Sequence, residues 1–76
     1  MSAAVVLTRL DHTPAELRAL AANSNDADQA RRLLAVAMVL DGTLRLDAAS
    51  QAGMDRQTLR DWVHRYNEAG VDGLGT

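Results

Sequence analysis

The amino-acid sequence predicts an all-α fold, a small bundle of four helices, and three observations carry that reading. Apolar residues recur at the 3.6-residue helical spacing in several windows. Each window is bracketed by a residue type that starts a helix and one that ends it. Apolar residues make up 47% of the chain but aromatics only 3%, so the core is built from Leu, Val, Ala and Met around one Trp and one Tyr, which suits packed helices. At 76 residues the chain has room for one domain, near the size where a single core becomes marginal and every helix must contribute to burial.

Residues 1–12 carry no helical signal and read as an N-terminal arm, in which Val5, Val6 and Leu7 form a short strand or a frayed end. Residues 13–76 form the domain. The first helix, about 13–22, opens on Thr13-Pro14-Ala15-Glu16: Thr13 caps, Pro14 takes the first helical position and Glu16 closes a capping box. Leu17, Leu20 and Ala21 form its apolar edge, and Asn23-Ser24-Asn25 ends it. The second helix, about 27–41, is capped by Asp26, carries Asp28 at the positive end of its dipole and stops at Gly42. Ala30, Leu33, Leu34, Ala37 and Leu40 follow the helical period, and Val36, Met38 and Val39 widen the stripe until the helix is apolar almost all round. It must therefore be central, covered by the first helix and, in one reading, by a second copy of the chain in a homodimer.

A two-turn helix, about 44–52, presents Leu46, Ala48, Ala49 and Ala52. Gly53 then breaks the chain, and Asp55 caps a fourth helix, about 55–69, that Gly70 ends. On this last helix Leu59, Trp62, Val63 and Tyr66 share one face at i, i+3, i+4, i+7. From Ala48 to Leu59 the residues fit two helices crossing over a tight turn. Ala49 is small where they approach, Gly53 takes a left-handed conformation, Met54 plugs the angle, and Leu59 with Trp62 packs the second helix down. That is the pattern of a helix-turn-helix unit, spanning about Asp26 to Gly70.

Residues left off the buried face of the last helix are Arg56, Gln57, Arg60, Asp61 and His64. Arg forks onto the O6 and N7 of guanine and Gln pairs with adenine, so the face carries base-reading chemistry for double-stranded DNA. Arg56, Gln57 and Arg60 are the principal candidate contacts, joined by Thr58, His64 and Arg45. Thr58 or the amides of the helix start would hold a phosphate. Asp55 is assigned to capping and Asp61 to pairing with an Arg. A polar helix face is most often only solvated; the turn pattern is what raises this one above that reading. Trp62 and Tyr66 are assigned to the core rather than to base stacking, and His64 contacts phosphate or is simply wet.

Charge argues in the opposite direction. The net charge is −2 and the pI about 5.5, whereas phosphate binding usually shows as a basic domain. All eight cations are Arg and none is Lys, and Arg is the residue suited to bidentate phosphate and guanine recognition. Over 45–65, however, Arg45, Arg56, Arg60 and Arg65 are opposed by Asp47, Asp55 and Asp61, so binding by this unit alone is expected to be weak or to depend on a partner. A dimerising or protein-docking module without DNA binding is the alternative that this balance suits.

Other function classes find no support. No nucleophile-and-base pair, phosphate loop or metal triad is present, so neither an enzyme nor a metal or cofactor site is expected. The carboxylates Asp41, Asp47 and Asp55 sit at helix ends, where capping explains them. There is no cysteine, which removes a disulfide scaffold. The longest apolar run, Leu33 to Leu40, is far short of the roughly 20 residues that span a bilayer, so a soluble, cytoplasmic chain is expected.

The run GMDRQTLRDWVHRYNEAGVDGL, Gly53 to Leu74, resembles the N-terminal DNA-binding region of bacterial insertion-sequence transposases related to the mariner superfamily. The similarity extends through ARRLLAVAMVLDG, Ala30 to Gly42, and more loosely through TPAELRAL, Thr13 to Leu20. The resemblance implies a homeodomain-like three-helix bundle preceded by one short helix, binding the terminal inverted repeats of a mobile element through the 55–69 helix. In that family a second DNA-binding segment and an acidic, Mg-dependent nuclease domain follow. Neither is expected here, which makes the chain an excised domain, a truncated frame, a stand-alone binder or a small transcriptional regulator. Two positions depart from the family pattern: Leu44 replaces a Ser-type cap, and Gly75-Thr76 replaces basic residues.

Overall fold

A computed structural model of the chain describes residues 11–75. The expected strand or arm at Val5 to Leu7 lies outside them. The described residues form four α-helices, α1 (Pro14–Ala22), α2 (Ala27–Leu40), α3 (Arg45–Ala52) and α4 (Arg56–Ala69), followed by a short 3-10 helix at Gly70–Leu74. No strand occurs among them. None of these helices is long and apolar enough to cross a membrane.

The starts and stops follow from local chemistry. At α1 the capping box is complete: the Glu16 amide donates to Thr13 Oγ1 at 3.1 Å and the Thr13 amide to Glu16 Oε1 at 2.7 Å. Asp26 Oδ1 accepts from the amides of Asp28 and Gln29 at α2, and Asp55 Oδ1 from that of Thr58 at 2.7 Å. Each carboxylate satisfies donors that the first helical turn leaves without partners. The start of α3 differs, because Leu44 occupies its cap position and supplies no side-chain bond. Asp41 does not cap. It stands at the carbonyl end of α2, where a carboxylate has no amide to accept from, and pairs instead with Arg18 of α1.

Helix α2 is the axis of the molecule, touching α1, α3, α4 and the 3-10 helix. Its all-round apolar character is thus met largely within the chain. One core joins Leu17 and Ala21 of α1, Leu33, Val36 and Ala37 of α2, Tyr66 of α4 and Leu74. A second joins Ala35 of α2, Ala48, Ala49 and Ala52 of α3, and Leu59 and Val63 of α4, with Met38, Val39 and Met54 against it. Each fully buried Leu or Val contributes roughly 1.5–3 kcal/mol of transfer free energy.

Three apolar assignments are corrected. Leu20, expected on the buried edge of α1, is exposed, and so is Leu46 at 62%. In both helices the small neighbours, Ala21 in one and Ala48, Ala49 and Ala52 in the other, occupy the contact, and a Leu one or two positions away points past it. Trp62 packs against the first core but is only half-buried. The guanidinium carbons of Arg32 and Arg65 stand 4.1 and 4.9 Å from its ring centre, so cations cover the ring where apolar cover was expected. Tyr66 is fully buried as expected.

Gly70 ends α4 but not the fold, because the 3-10 helix turns Leu74 back into the first core. Arg32 donates to the Leu74 carbonyl at 3.1 Å. Gly73 lies so close to α4 that a Cβ there would sit 2.4 Å from the Arg65 carbonyl oxygen, so only glycine permits the approach.

Candidate nucleic-acid interface

The turn between α3 and α4 is built from backbone bonds. Gly53 has φ 73° and ψ 31°, the left-handed region that glycine enters without Cβ strain. Its amide donates to the Ser50 carbonyl at 3.2 Å and the Met54 amide to that of Ala49 at 2.9 Å, the paired bonds that close a helix C-terminus. Asp55 then restarts the helix two residues later. Three alanines of α3 lie against Leu59 and Val63 of α4, so the two helices pack with little side chain between them. This is what a helix-turn-helix needs: a short first helix braced against a second whose outer face is free.

That outer face of α4 carries Arg56, Gln57, Thr58, Arg60, Asp61 and His64, all exposed. At 100° per residue, Gln57, Asp61, His64 and Glu68 form the stripe opposite Leu59, Val63 and Tyr66. Arg56, Arg60 and Asn67 lie along one flank, and Thr58, Trp62 and Arg65 along the other. Arg56, Gln57 and Arg60 make no hydrogen bond or ion pair with any described residue, so their donors are available to a ligand. Asp61 is expected to pair with an arginine, yet no such pair forms among the described residues; the nearest partner by helical spacing, Arg65, is turned onto Trp62 instead. The centre of the face therefore alternates a polar amide, a carboxylate and an imidazole, with the arginines on its flank.

Two expected phosphate contacts sit differently from each other. The Thr58 amide donates to Asp55, and the Thr58 hydroxyl is drawn to the same carboxylate, so a ligand would have to compete with the cap for that hydroxyl. Hydrogen bonds from Thr58 hold the Asp55 carboxyl below its ordinary pKa, so this cap gives up its charge at a lower pH than a free aspartate. Arg45 is half-buried in the first turn of α3, on a different helix from the other candidates. No group of three or more metal-ligating side chains occurs among the described residues.

The sequence reasoning missed a recess of about 270 Å³ beside the start of α4, lined by Asp28, Arg31, Arg32, Met54, Thr58 and Trp62. Its arginines come from α2, some 27 positions before Thr58, and no local spacing signals that meeting.

Comparison with known proteins places the chain. Over 69 residues, 91% of its length, it is 52% identical to the uncharacterized protein y4pG/y4sC of Sinorhizobium fredii (strain NBRC 101917 / NGR234), and the match spans 36% of that longer protein. No solved structure matches. Residues 31–76, more than half the chain and all of α3 and α4, match the helix-turn-helix domain family. A left-handed glycine between two closely packed helices, and an exposed polar face on the second, are what that match leads one to expect; the chain belongs to the helix-turn-helix domain family, a class of DNA-binding domain.

Proposed function

We propose that the chain binds double-stranded DNA sequence-specifically, with α4 as the recognition helix in the major groove. The observation that carries this reading is the uncommitted N-terminal half of α4, where Arg56, Gln57 and Arg60 are exposed beyond a turn that holds the helix outward. Arg56 and Arg60 offer guanine contacts, Gln57 an adenine contact, and His64 and Arg45 backbone contacts. The carboxylates Asp61 and Glu68 favour entry by the N-terminal end, because the stripe becomes acidic toward its C-terminal end. On this reading the residues bind and perform no catalysis.

The finer reading is a homeodomain-like domain that recognises the terminal inverted repeats of a bacterial mobile element, on the resemblance of Gly53 to Leu74 to transposase N-terminal regions. Selection of bound duplexes from a random pool tests the broader reading. A recovered consensus, binding that weakens steeply with salt, and loss of affinity in Arg60→Ala are the expected results. No binding to any duplex at low salt would overturn it. Enrichment of sequences found at element ends would support the finer reading, and a consensus unrelated to them would favour a small regulator. The exposed leucines 44 and 46, at 72% and 62%, favour one competing reading, a dimerising or docking module. Sedimentation as a tight dimer with no DNA affinity would establish it instead.

A further inference from the structure

We propose that Arg31 of α2 and Thr58 of α4 together seat one backbone phosphate of the bound DNA, in the recess between the two helices; the inference rests on the DNA-binding reading above. The recess borders the Thr58–Trp62 flank of α4, next to the face assigned to the groove, and Arg31 and Arg32 reach it from α2. At about 270 Å³ it has room for roughly nine waters at about 30 Å³ each, enough for a phosphate group that keeps part of its hydration.

The two arginines have different tasks. Arg32 is committed: its guanidinium lies over Trp62 and donates to the Leu74 carbonyl, so it braces the wall and adds charge without reaching outward. Among the described residues Arg31 is held only by Asp28, at 3.6 Å, with both side chains more than half exposed. Such a pair is worth about 1 kcal/mol or less, so a phosphate oxygen can displace the carboxylate from it. The guanidinium fork matches phosphate geometry, and the Thr58 hydroxyl, which otherwise bonds the Asp55 carboxylate, turns to the phosphate as a neutral donor from the opposite wall. Asp55, whose carboxylate would oppose a phosphate, has its Oδ1 turned to the Thr58 amide; Asp28 remains as the opposing charge in the recess itself.

A phosphate seat fixes register and carries no sequence information, which sets its signature apart from that of the α4 face. The test is a salt series of binding isotherms on the whole chain, with several duplexes of different sequence. Arg31→Gln should weaken all of them alike, by about three- to fivefold, the scale of an exposed charge contact, and reduce the slope of log K against log salt by about 0.9, one phosphate's worth. Thr58→Val should weaken all duplexes alike without changing the slope. Asp28→Asn, which frees Arg31 and removes the opposing charge, should tighten all of them. Gln57→Ala should instead change the ranking of the duplexes at constant slope. If the parent chain binds DNA while Arg31→Gln keeps the full slope and Asp28→Asn gains nothing, the phosphate seat is wrong and the DNA reading stands. If the parent binds no duplex, the DNA reading itself falls.

Discussion

The two cores of this domain are built from different materials. The one beneath α1 is filled with large side chains, Tyr66, Leu17, Leu33, Leu74 and Val36, whereas the one between α3 and α4 is lined by four alanines with Leu59 and Val63. Large side chains remove more apolar area from water and so carry more of the stability. Alanines contribute less burial but let two helix backbones come close, and closeness is what sets the direction in which α4 projects. Stability and aim are thus assigned to separate clusters.

The comparison is broken most forcefully by truncation in the first core. Leu33→Ala should cost about 2–5 kcal/mol, a large fraction of the stability of so small a domain, and thermal melting should show a lowered or absent transition. Enlargement in the second core should do something different. Ala49→Leu is expected to cost about 1–3 kcal/mol by overpacking while abolishing DNA binding, since it wedges α3 from α4; melting and binding measured on one sample would separate the effects. Full DNA affinity in that variant would refute the division. Gly53→Ala should cost about 1 kcal/mol, the strain of placing a Cβ at a left-handed φ, and reduce affinity by more than its melting shift accounts for. Least is expected of Asp55→Ala, which removes the cap of α4. Because the folded-state pKa of Asp55 lies below its unfolded value, its contribution is complete above the ordinary carboxylate range and fades as pH falls through the folded value. The melting gap between parent and variant should therefore be widest near neutrality and close in acid.

How much of this was legible in the sequence depended on whether the cause was local. Thr13 with Glu16, Asp26, Gly53 and Asp55 act within one helical turn of themselves, and their caps and stops stand where the residue types predict. Leu74 was not legible. Gly70 reads as an end, and the six residues after it are too few to show a period, so only the packing against α2 reveals a core residue there. Trp62 was misjudged for a related reason: its ring meets Arg32, thirty positions earlier, and periodicity is blind to such a partner. The candidate interface divides the same way. The polar face of α4 can be read from helical spacing alone, whereas the recess that joins Arg31 to Thr58 exists only once α2 is laid beside α4.

Helix α2 contributes adjacent residues to opposite sides, Ala35 to one core and Val36 to the other. Neither half can then melt while the other persists, because the same turn of helix would have to be both ordered and frayed. Backbone amides of α2 should accordingly exchange with solvent only through global opening, at one common free energy. A ligand that tightens α4 would slow exchange in α1 as well, through the core that Leu17 and Ala21 share with Tyr66.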